Sequence, residues 1–268
     1  MVKRTQTKKE HQIQEDINKL DVVFVVDVTG SMGPFIREAK EKVVSQIRDM
    51  SQRGLDIRFG LVEYRDHPPQ DNSFTTKTHA FTDNTQKMQT SIELMKAEGG
   101  GDRPEAMYCG VAAAIRGLQW RPKADHQIFL IADSPPHTPC LCGLQQFEII
   151  KELNVDSITL NAFSISGEHD TGIHMRALTN ATNGLFDEGS VRQSFEHTEH
   201  VYAGTASLMN DANTYHTTFT ACSSLGSSTT DAAIAKQAGL TLSKIKTAKN
   251  YLKKRGLLPK EVTDVSSS

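Results

Sequence analysis

The sequence predicts an α/β fold: a mostly parallel central sheet with one antiparallel edge strand, helices on both faces, and a small helical segment near the carboxyl end. Three observations carry this. Val22-Val23-Phe24-Val25-Val26 and Ile128-Phe129-Leu130-Ile131 are unbroken apolar runs, as strands buried on both faces require. Stretches with apolar residues at helical spacing alternate with such runs, which calls for right-handed crossovers between parallel strands. Both runs end in an oxygen-rich loop, the first at Asp27 and the second at Asp133.

Taken in order, residues 1–20 read as a short helical lead-in to the strand at 22–26. Residues 34–53 place Phe35, Ile36, Ala39, Val43, Val44 and Ile47 on one helical face, and Gly54 stops the helix. A second strand at 55–64 ends in Arg65-Asp66-His67-Pro68-Pro69, and the more polar strand at 74–81 suits an antiparallel edge. Helix follows at 85–97, and again, with Pro104 tolerated in the first turn, to about 119 with Val111, Ala112, Ala114, Ile115 and Leu118 suited to packing on the sheet. Strand 127–133, helix 145–153, strand 157–164, helix 169–179, a short strand at 184–186 and a helix at 191–210 complete the alternation, with His169 and His174 as helix-surface residues.

The expected organisation is a lead-in at 1–20, a main domain at 21–210, a linker at 211–230 and a tail at 231–268. The linker is rich in Thr, Ser and Asn, although Tyr215 and Phe219 could pack a short helix there. With 268 residues, 37% of them hydrophobic and 23% charged, the chain can bury one large core and a small appendage. A net charge of −2 gives no overall pull toward nucleic acid or anionic membrane. No apolar signal segment opens the sequence and no run reaches the length of a membrane span, so a cytoplasmic location away from membranes is expected.

Four cysteines, Cys109, Cys140, Cys142 and Cys222, form no disulfide framework and are expected as free thiols. His137, Cys140 and Cys142 could supply part of a zinc site. The usual two-residue gap between paired cysteines is missing and no second pair is evident, so a reduced loop is the expectation.

The candidate functional chemistry lies in three loops. Asp27, Thr29 and Ser31 are spaced two apart, with Gly30 and Gly33 permitting a tight turn, so one carboxylate and two hydroxyls can face one point. Oxygen donors with little charge suit a hard cation with room for water or a foreign ligand. The alternative is that Asp27 caps the following helix. Gly99-Gly100-Gly101 leads into Asp102-Arg103-Pro104-Glu105, where the glycines allow close backbone approach and Asp102-x-x-Glu105 also has capping-box spacing. Asp133 alone reads as a cap or turn former. In a doubly wound sheet, however, strand carboxyl ends flanking the switch point converge, which would make Asp27, Glu105 and Asp133 neighbours.

The Asp27-Val28-Thr29-Gly30-Ser31 stretch resembles the metal-ion-dependent adhesion site of von Willebrand factor type A domains, a Rossmann-like family, and the resemblance covers about 21–210. It implies a site in which Asp27, Thr29, Ser31, Glu105 and Asp133 serve a divalent cation, Mg2+ first and Mn2+ or Ca2+ otherwise. Asp102 would lie just outside it or belong to an adjacent metal. Counting back from Gly110-Val111 puts Glu105 in the slot where such domains commonly carry threonine, similar to the integrin β-subunit version. A carboxylate there adds negative charge, raising cation affinity and lowering attraction for an anionic ligand. The resemblance further implies a protein partner that offers Glu or Asp to the metal, and a last helix able to slide on binding. The Asp-x-Thr-Gly-Ser-Met and Gly-Gly-Gly-Asp-x-Pro-Glu stretches also resemble the branch attached to α-kinases, but no kinase domain fits in this chain.

Catalysis is not expected. A haloacid dehalogenase-like phosphohydrolase wants a second acid where Thr29 stands, and neither a Ser-His-Asp order nor a phosphate-binding P-loop is present. In the tail, Ile234-Ala235, Ala238-Gly239-Leu240-Thr241 and Arg255-Gly256-Leu257-Leu258 resemble a winged-helix core. That would point Ser243, Lys244, Lys246, Thr247 and Asn250 at a DNA groove. A first helix is not obvious and little chain remains for a wing, so a helical hairpin that docks protein is the competing reading.

Overall fold

The apolar run at 22–26 lies inside strand β1 (Lys19–Asp27), buried at every position after its first. The computed structural model of the chain describes residues 12, 15–37, 40, 44, 47, 55–165, 168–188, 214–226 and 229–258. Its backbone divides into two compact units, a larger one of residues 20–121 and 126–201 and a smaller one of 1–19, 122–125 and 202–268.

In the larger unit, β1 joins β2 (Asp56–Tyr64), β3 (Thr76–Thr82), β4 (Asp125–Ala132), β5 (Ile158–Ser164) and β6 (Phe186–Glu188) in the order β3-β2-β1-β4-β5-β6. The sheet is mostly parallel. β4 and β5 run in parallel register with Ile128 beside Leu160, whereas β3 returns antiparallel to β2 with Tyr64 opposite Thr76. No residue of β3 is fully buried, as its polar sequence and edge position demand.

Helices α1 (Thr85–Leu94), α2 (Met107–Gly117), α3 (Gln146–Val155) and α4 (His169–Thr182) lie between the strands in sequence. Met107, Val111 and Ile115 of α2, Ile149 and Leu153 of α3, and Met175 and Leu178 of α4 form one core with Val23, Val25, Ile128 and Leu130 of the sheet. The Asn84 side chain accepts the Lys87 N–H at 3.0 Å to start α1. At the end of α4 Asn183 adopts the left-handed conformation, and Gly184 N–H donates to the Thr179 carbonyl at 2.8 Å. That closure consumes Gly184, so β6 begins at Phe186 rather than at 184. The helix expected at 34–53 is described at 33–37, 40, 44 and 47, all helical, with Ile36 and Ile47 buried. The helix expected at 191–210 lies outside the described residues.

The smaller unit departs from expectation. Residues 214–225, read as linker, are helical and precede α5 (Asp231–Ala238) and α6 (Leu242–Lys254). Tyr215, Thr218, Phe219 and Cys222 are buried at helical spacing, an apolar stripe that the polar composition around it conceals. Tyr215 and Phe219 pack with Ala248, Leu252, Leu257 and Ile17, and Cys222 packs with Ile234 and Ile245. Arg255 donates from Nε to the Lys123 carbonyl at 2.9 Å and from a terminal nitrogen to that of Ile17 at 3.2 Å. The lead-in at 15–19 thus shares contacts with the tail. Among the described residues no helix is long and apolar enough to cross a membrane.

Candidate metal centre

β1 and β4 are neighbours in the sheet, and the strand order changes direction between them. Asp27 closes β1 and Asp133 follows β4, so both stand at the crevice where α/β sheets receive ligands. Beyond Asp27 the chain folds into a single 3-10 turn, Gly30–Met32. Thr29 gives both its N–H, at 2.9 Å, and its hydroxyl, at 2.6 Å, to Asp27 Oδ1. The Thr29 and Ser31 hydroxyls lie 3.2 Å apart. Only one oxygen of Asp27 is occupied in this way, since Oδ2 is buried outside hydrogen-bonding geometry, although the buried Tyr64 hydroxyl, itself without another partner, lies near enough to the carboxyl to interact with it.

The glycine loop closes over this turn. Gly30 N–H donates to the Gly99 carbonyl at 3.0 Å, and Gly100 N–H to Asp71 Oδ2 at 3.2 Å. Gly100 has φ +73, and a Cβ there would stand 2.9 Å from Glu105 Oε1 and 3.1 Å from Thr29 Cβ. A side chain would therefore collide with two candidate ligands at once. Glu105 is held by its backbone, which donates to the Pro135 carbonyl at 2.9 Å and accepts from His137 N–H at 3.2 Å. Its Oε2 is buried and unpartnered. The capping box at Asp102-x-x-Glu105 does not form: Ala106 is the N-cap of α2, with no side-chain cap bond.

The electrostatics sharpen the picture. Asp27 is 0% exposed, Glu105 4% and Asp133 7%. Burial, and then the charge of Asp133, pushes the Asp27 carboxyl up to about 7. Burial, followed by Asp27, Asp66, Asp133 and Asp102, pushes Glu105 up to about 9. The buried Tyr64 hydroxyl is driven well above its ordinary range by burial and then by the same carboxylates. Asp21, near the other end of β1, provides the contrast. It is equally buried, yet takes bonds from Arg58 at 3.0 and 2.7 Å and from Arg121 Nε and N–H at 2.9 and 2.8 Å. No such cation stands against Asp27 among the described contacts.

A cleft of about 480 Å³ opens over the cluster, lined by Thr29, Ser31, Asp102, Arg103, Glu105 and Asp133 among others. Ser31 and Asp102 are exposed in it, and Arg103 pairs with Glu168 and Asp170. Five of the six oxygen-bearing residues singled out in the sequence therefore border one opening, while Asp27 is buried beside Thr29 and does not line it. Asp66 was overlooked: it is fully buried, its Oδ1 lies 2.7 Å from His137 Nε2, and its Oδ2 has no partner. Its signal was the one used elsewhere, an acid just past a buried strand, here two residues beyond Tyr64. His137 is thereby engaged away from Cys140 and Cys142. Buried carboxyl oxygens, with Glu105 Oε2 orphaned at the cleft and Asp27 Oδ2 orphaned next to it, fit a hard divalent cation that would hold both groups ionised. Ser243, Lys244, Lys246, Thr247 and Asn250 are all exposed on α6, opposite buried Ile245, Ala248 and Leu252.

The fold is an α/β domain of the doubly wound class, with this crevice at its switch point. The sequence profile of the von Willebrand factor A domain matches residues 21–164, and the chain belongs to that family. It is 32% identical over 120 residues to an α-protein kinase, vwkA, of Dictyostelium discoideum, covering 44% of this chain and 19% of that protein. Identity to an ariadne-like RING finger protein of Acanthamoeba polyphaga mimivirus is 30% over 118 residues, 44% of this chain and 11% of that one. The chain thus spans about a fifth or less of these curated relatives. Among solved structures, proximal thread matrix protein 1 of the mussel byssus, with a zinc-occupied metal-ion-dependent adhesion site, superposes with TM-score 0.53 at 15% identity, covering 68% of this chain and 44% of that one. BatB of Bacteroides thetaiotaomicron superposes with TM-score 0.51 at 12% identity over 70% and 99% of the two chains. These likenesses are of fold.

Proposed function

We propose that the chain is a divalent-cation-dependent interaction module that receives an acidic side chain of a protein partner at the cleft, and that it is not itself an enzyme. Asp27, Thr29, Ser31 and Glu105 would hold Mg2+, or Mn2+ or Ca2+ in its place, with Asp133 and Asp102 completing the oxygen surround. The ion would supply an electrophilic point for a carboxylate. The chain's own residues do the rest: Thr29 orients Asp27 through Oδ1, Gly100 leaves the room that Glu105 and Thr29 need beside it, and Arg103 stands at the rim paired with Glu168 and Asp170. The observation that carries this reading is the pair of buried, unpartnered carboxylate oxygens on Asp27 and Glu105, beside an opening and without the arginines that Asp21 has. The occupied adhesion site of the mussel protein lends support by analogy of fold.

Calorimetric titration of Mg2+ and Mn2+ into metal-stripped protein tests it. One ion should bind wild type, while folded Asp27→Ala and Glu105→Ala bind none. Acidic peptides should then be retained with Mg2+ and released by chelator. A wild type that binds neither ion sinks the reading.

A second reading concerns the tail. The helix at 214–225 supplies the first helix that a helix-turn-helix requires, ahead of α5 and α6. On it the chain would combine partner sensing with DNA contact through Ser243, Lys244, Lys246, Thr247 and Asn250. Salt-dependent retention of the full chain on duplex DNA, lost in a Lys244→Glu, Lys246→Glu variant, is the expected result. Indifference to DNA at low salt returns the tail to a protein-docking role.

A further inference from the structure

Apart from the residues that line the cleft, four side chains from three separate segments meet. His67 follows β2, Cys109 lies in the first turn of α2, and Cys140 and Cys142 stand in the loop after β4. One donor atom from each lies within 4.8 Å of all the others. His67 Nε2 is 3.2 Å from Cys140 Sγ and 3.6 Å from Cys109 Sγ. The sulfurs of Cys109, Cys140 and Cys142 are 2.9 to 3.5 Å apart, and all three are free. We propose that His67, Cys109, Cys140 and Cys142 form a tetrahedral structural zinc site, distinct from the cation site of the cleft.

The geometry points to zinc in particular. Tetrahedral bonds of about 2.3 Å to sulfur and about 2.0 Å to nitrogen place sulfurs about 3.8 Å apart and sulfur about 3.5 Å from nitrogen. The three sulfurs stand closer together than that, at 2.9 to 3.5 Å, and the His67 distances of 3.2 and 3.6 Å bracket the sulfur–nitrogen separation, so small side-chain rotations that spread the sulfurs would seat an ion. Three sulfurs and an imidazole make a soft donor set that selects zinc over the hard cations suited to Asp27 and Glu105. Hydrogen bonding does not explain the convergence, because thiols are weak hydrogen-bonding groups and gain little from one another. The loop is shaped for the task. Gly143, at φ +88, donates to the Cys140 carbonyl at 2.7 Å, and Cys140 N–H donates to the Leu144 carbonyl at 3.1 Å. This tight turn lets Cys140 and Cys142, only two residues apart, serve one ion without the usual two-residue spacer. The remaining ligands are contributed by the fold rather than by a neighbouring pair. Cys140 is 2% and His67 8% exposed, while Cys142 is exposed, giving a shielded site with an entry side. Binding would convert the thiols to thiolates and release their protons.

The test uses the full chain, purified from zinc-supplemented cells without chelator. Elemental analysis should find one zinc per chain that survives gel filtration. Exchange to Co2+ should give the intense visible bands of a tetrahedral ion with sulfur-to-metal charge transfer, which an all-oxygen site does not produce. Cys140→Ser and the solvent-facing Cys142→Ser should lose the zinc under chelator concentrations that wild type withstands, whereas Asp27→Ala keeps both the zinc and the cobalt spectrum. Four results would each overturn the proposal: a wild type without zinc and without thiolate bands; an unchanged spectrum in Cys140→Ser; loss of the bands in folded Asp27→Ala; or a Cys109 to Cys142 disulfide in freshly prepared protein. Should a cysteine variant fail to fold, the wild-type cobalt spectrum still decides.

Discussion

Thr29 Oγ1 donates a 2.6 Å hydrogen bond to Asp27 Oδ1, while Asp27 Oδ2 is buried with only the Tyr64 hydroxyl nearby and outside hydrogen-bonding geometry. The Thr29 hydroxyl aims the carboxylate; it does not neutralise it. Thr29→Val, close in shape, should therefore fold normally yet bind Mg2+ about 10–100-fold more weakly, the range typical when a group orienting a metal ligand is removed. Calorimetry beside a thermal melt separates the two effects.

Without a cation, Asp27 is a liability to the fold. Asp27→Asn removes a buried charge while keeping its shape, so chelated variant protein at pH 8 should melt about 2–4 °C above chelated wild type, equivalent to about 1 kcal/mol for a domain of this size. Added Mg2+ should raise the melting point of wild type alone. A variant that melts lower under chelation would mean that Asp27 is compensated within the protein.

The pH dependence has a definite sign. Asp27 ionises at about 7 in the folded chain against an ordinary 3.8, and Glu105 at about 9 against 4.5. Between these limits the native state holds more protons than the unfolded one, so the stability of chelated protein falls as pH rises from about 4 to about 9. The cation competes for the same oxygens, and its affinity should climb through the upper part of that window. Melts and Mg2+ titrations at several pH values check both slopes.

Asp21 should behave in the opposite manner. Truncating a buried, fully paired carboxylate removes the main partner of Arg58 and one partner of Arg121, which keeps Asp56, so Asp21→Ala should cost about 2–3 kcal/mol in urea unfolding. Surviving folded protein should keep wild-type Mg2+ affinity. Two aspartates of one strand would then separate into a structural and a ligand-binding residue.

In the smaller unit, Leu252→Ala should cost about 2–5 kcal/mol, because Leu252 is completely buried against Tyr215 and Phe219. Lys244→Ala and Lys246→Ala, on the exposed face, should stay within about 0.5 kcal/mol of wild type. Denaturant melts of the full chain, followed by tyrosine fluorescence, give the comparison.

Much of this molecule could be read from its residues. Continuous valine and isoleucine runs specify strands buried on both faces, and the weak polar strand at 74–81 specifies an edge, because burial on two sides leaves no place for polar side chains. Asp27, Thr29, Ser31, Gly100, Glu105 and Asp133 were legible for the same reason: oxygens and glycines clustered just past buried strands have few local uses. The helix at 214–225 was harder to see, since four apolar-facing residues among many Thr and Ser leave a faint stripe.

By itself, then, the sequence determined the fold class and which loops carry the oxygens and glycines, for these depend on periodicity and on residue chemistry within a few positions. Only the tertiary structure decided which groups are compensated. It set Asp21 between two arginines and left Asp27 with an unpaired oxygen, added Asp66 to the acidic cluster, and turned His137 toward Asp66 instead of the cysteines. It also carried His67 and Cys109 to Cys140 and Cys142 across 73 and 31 residues of chain. Charge balance and metal coordination are properties of atoms a few ångströms apart, and the order of residues along a chain does not state which distant atoms the crossovers of a sheet will bring together.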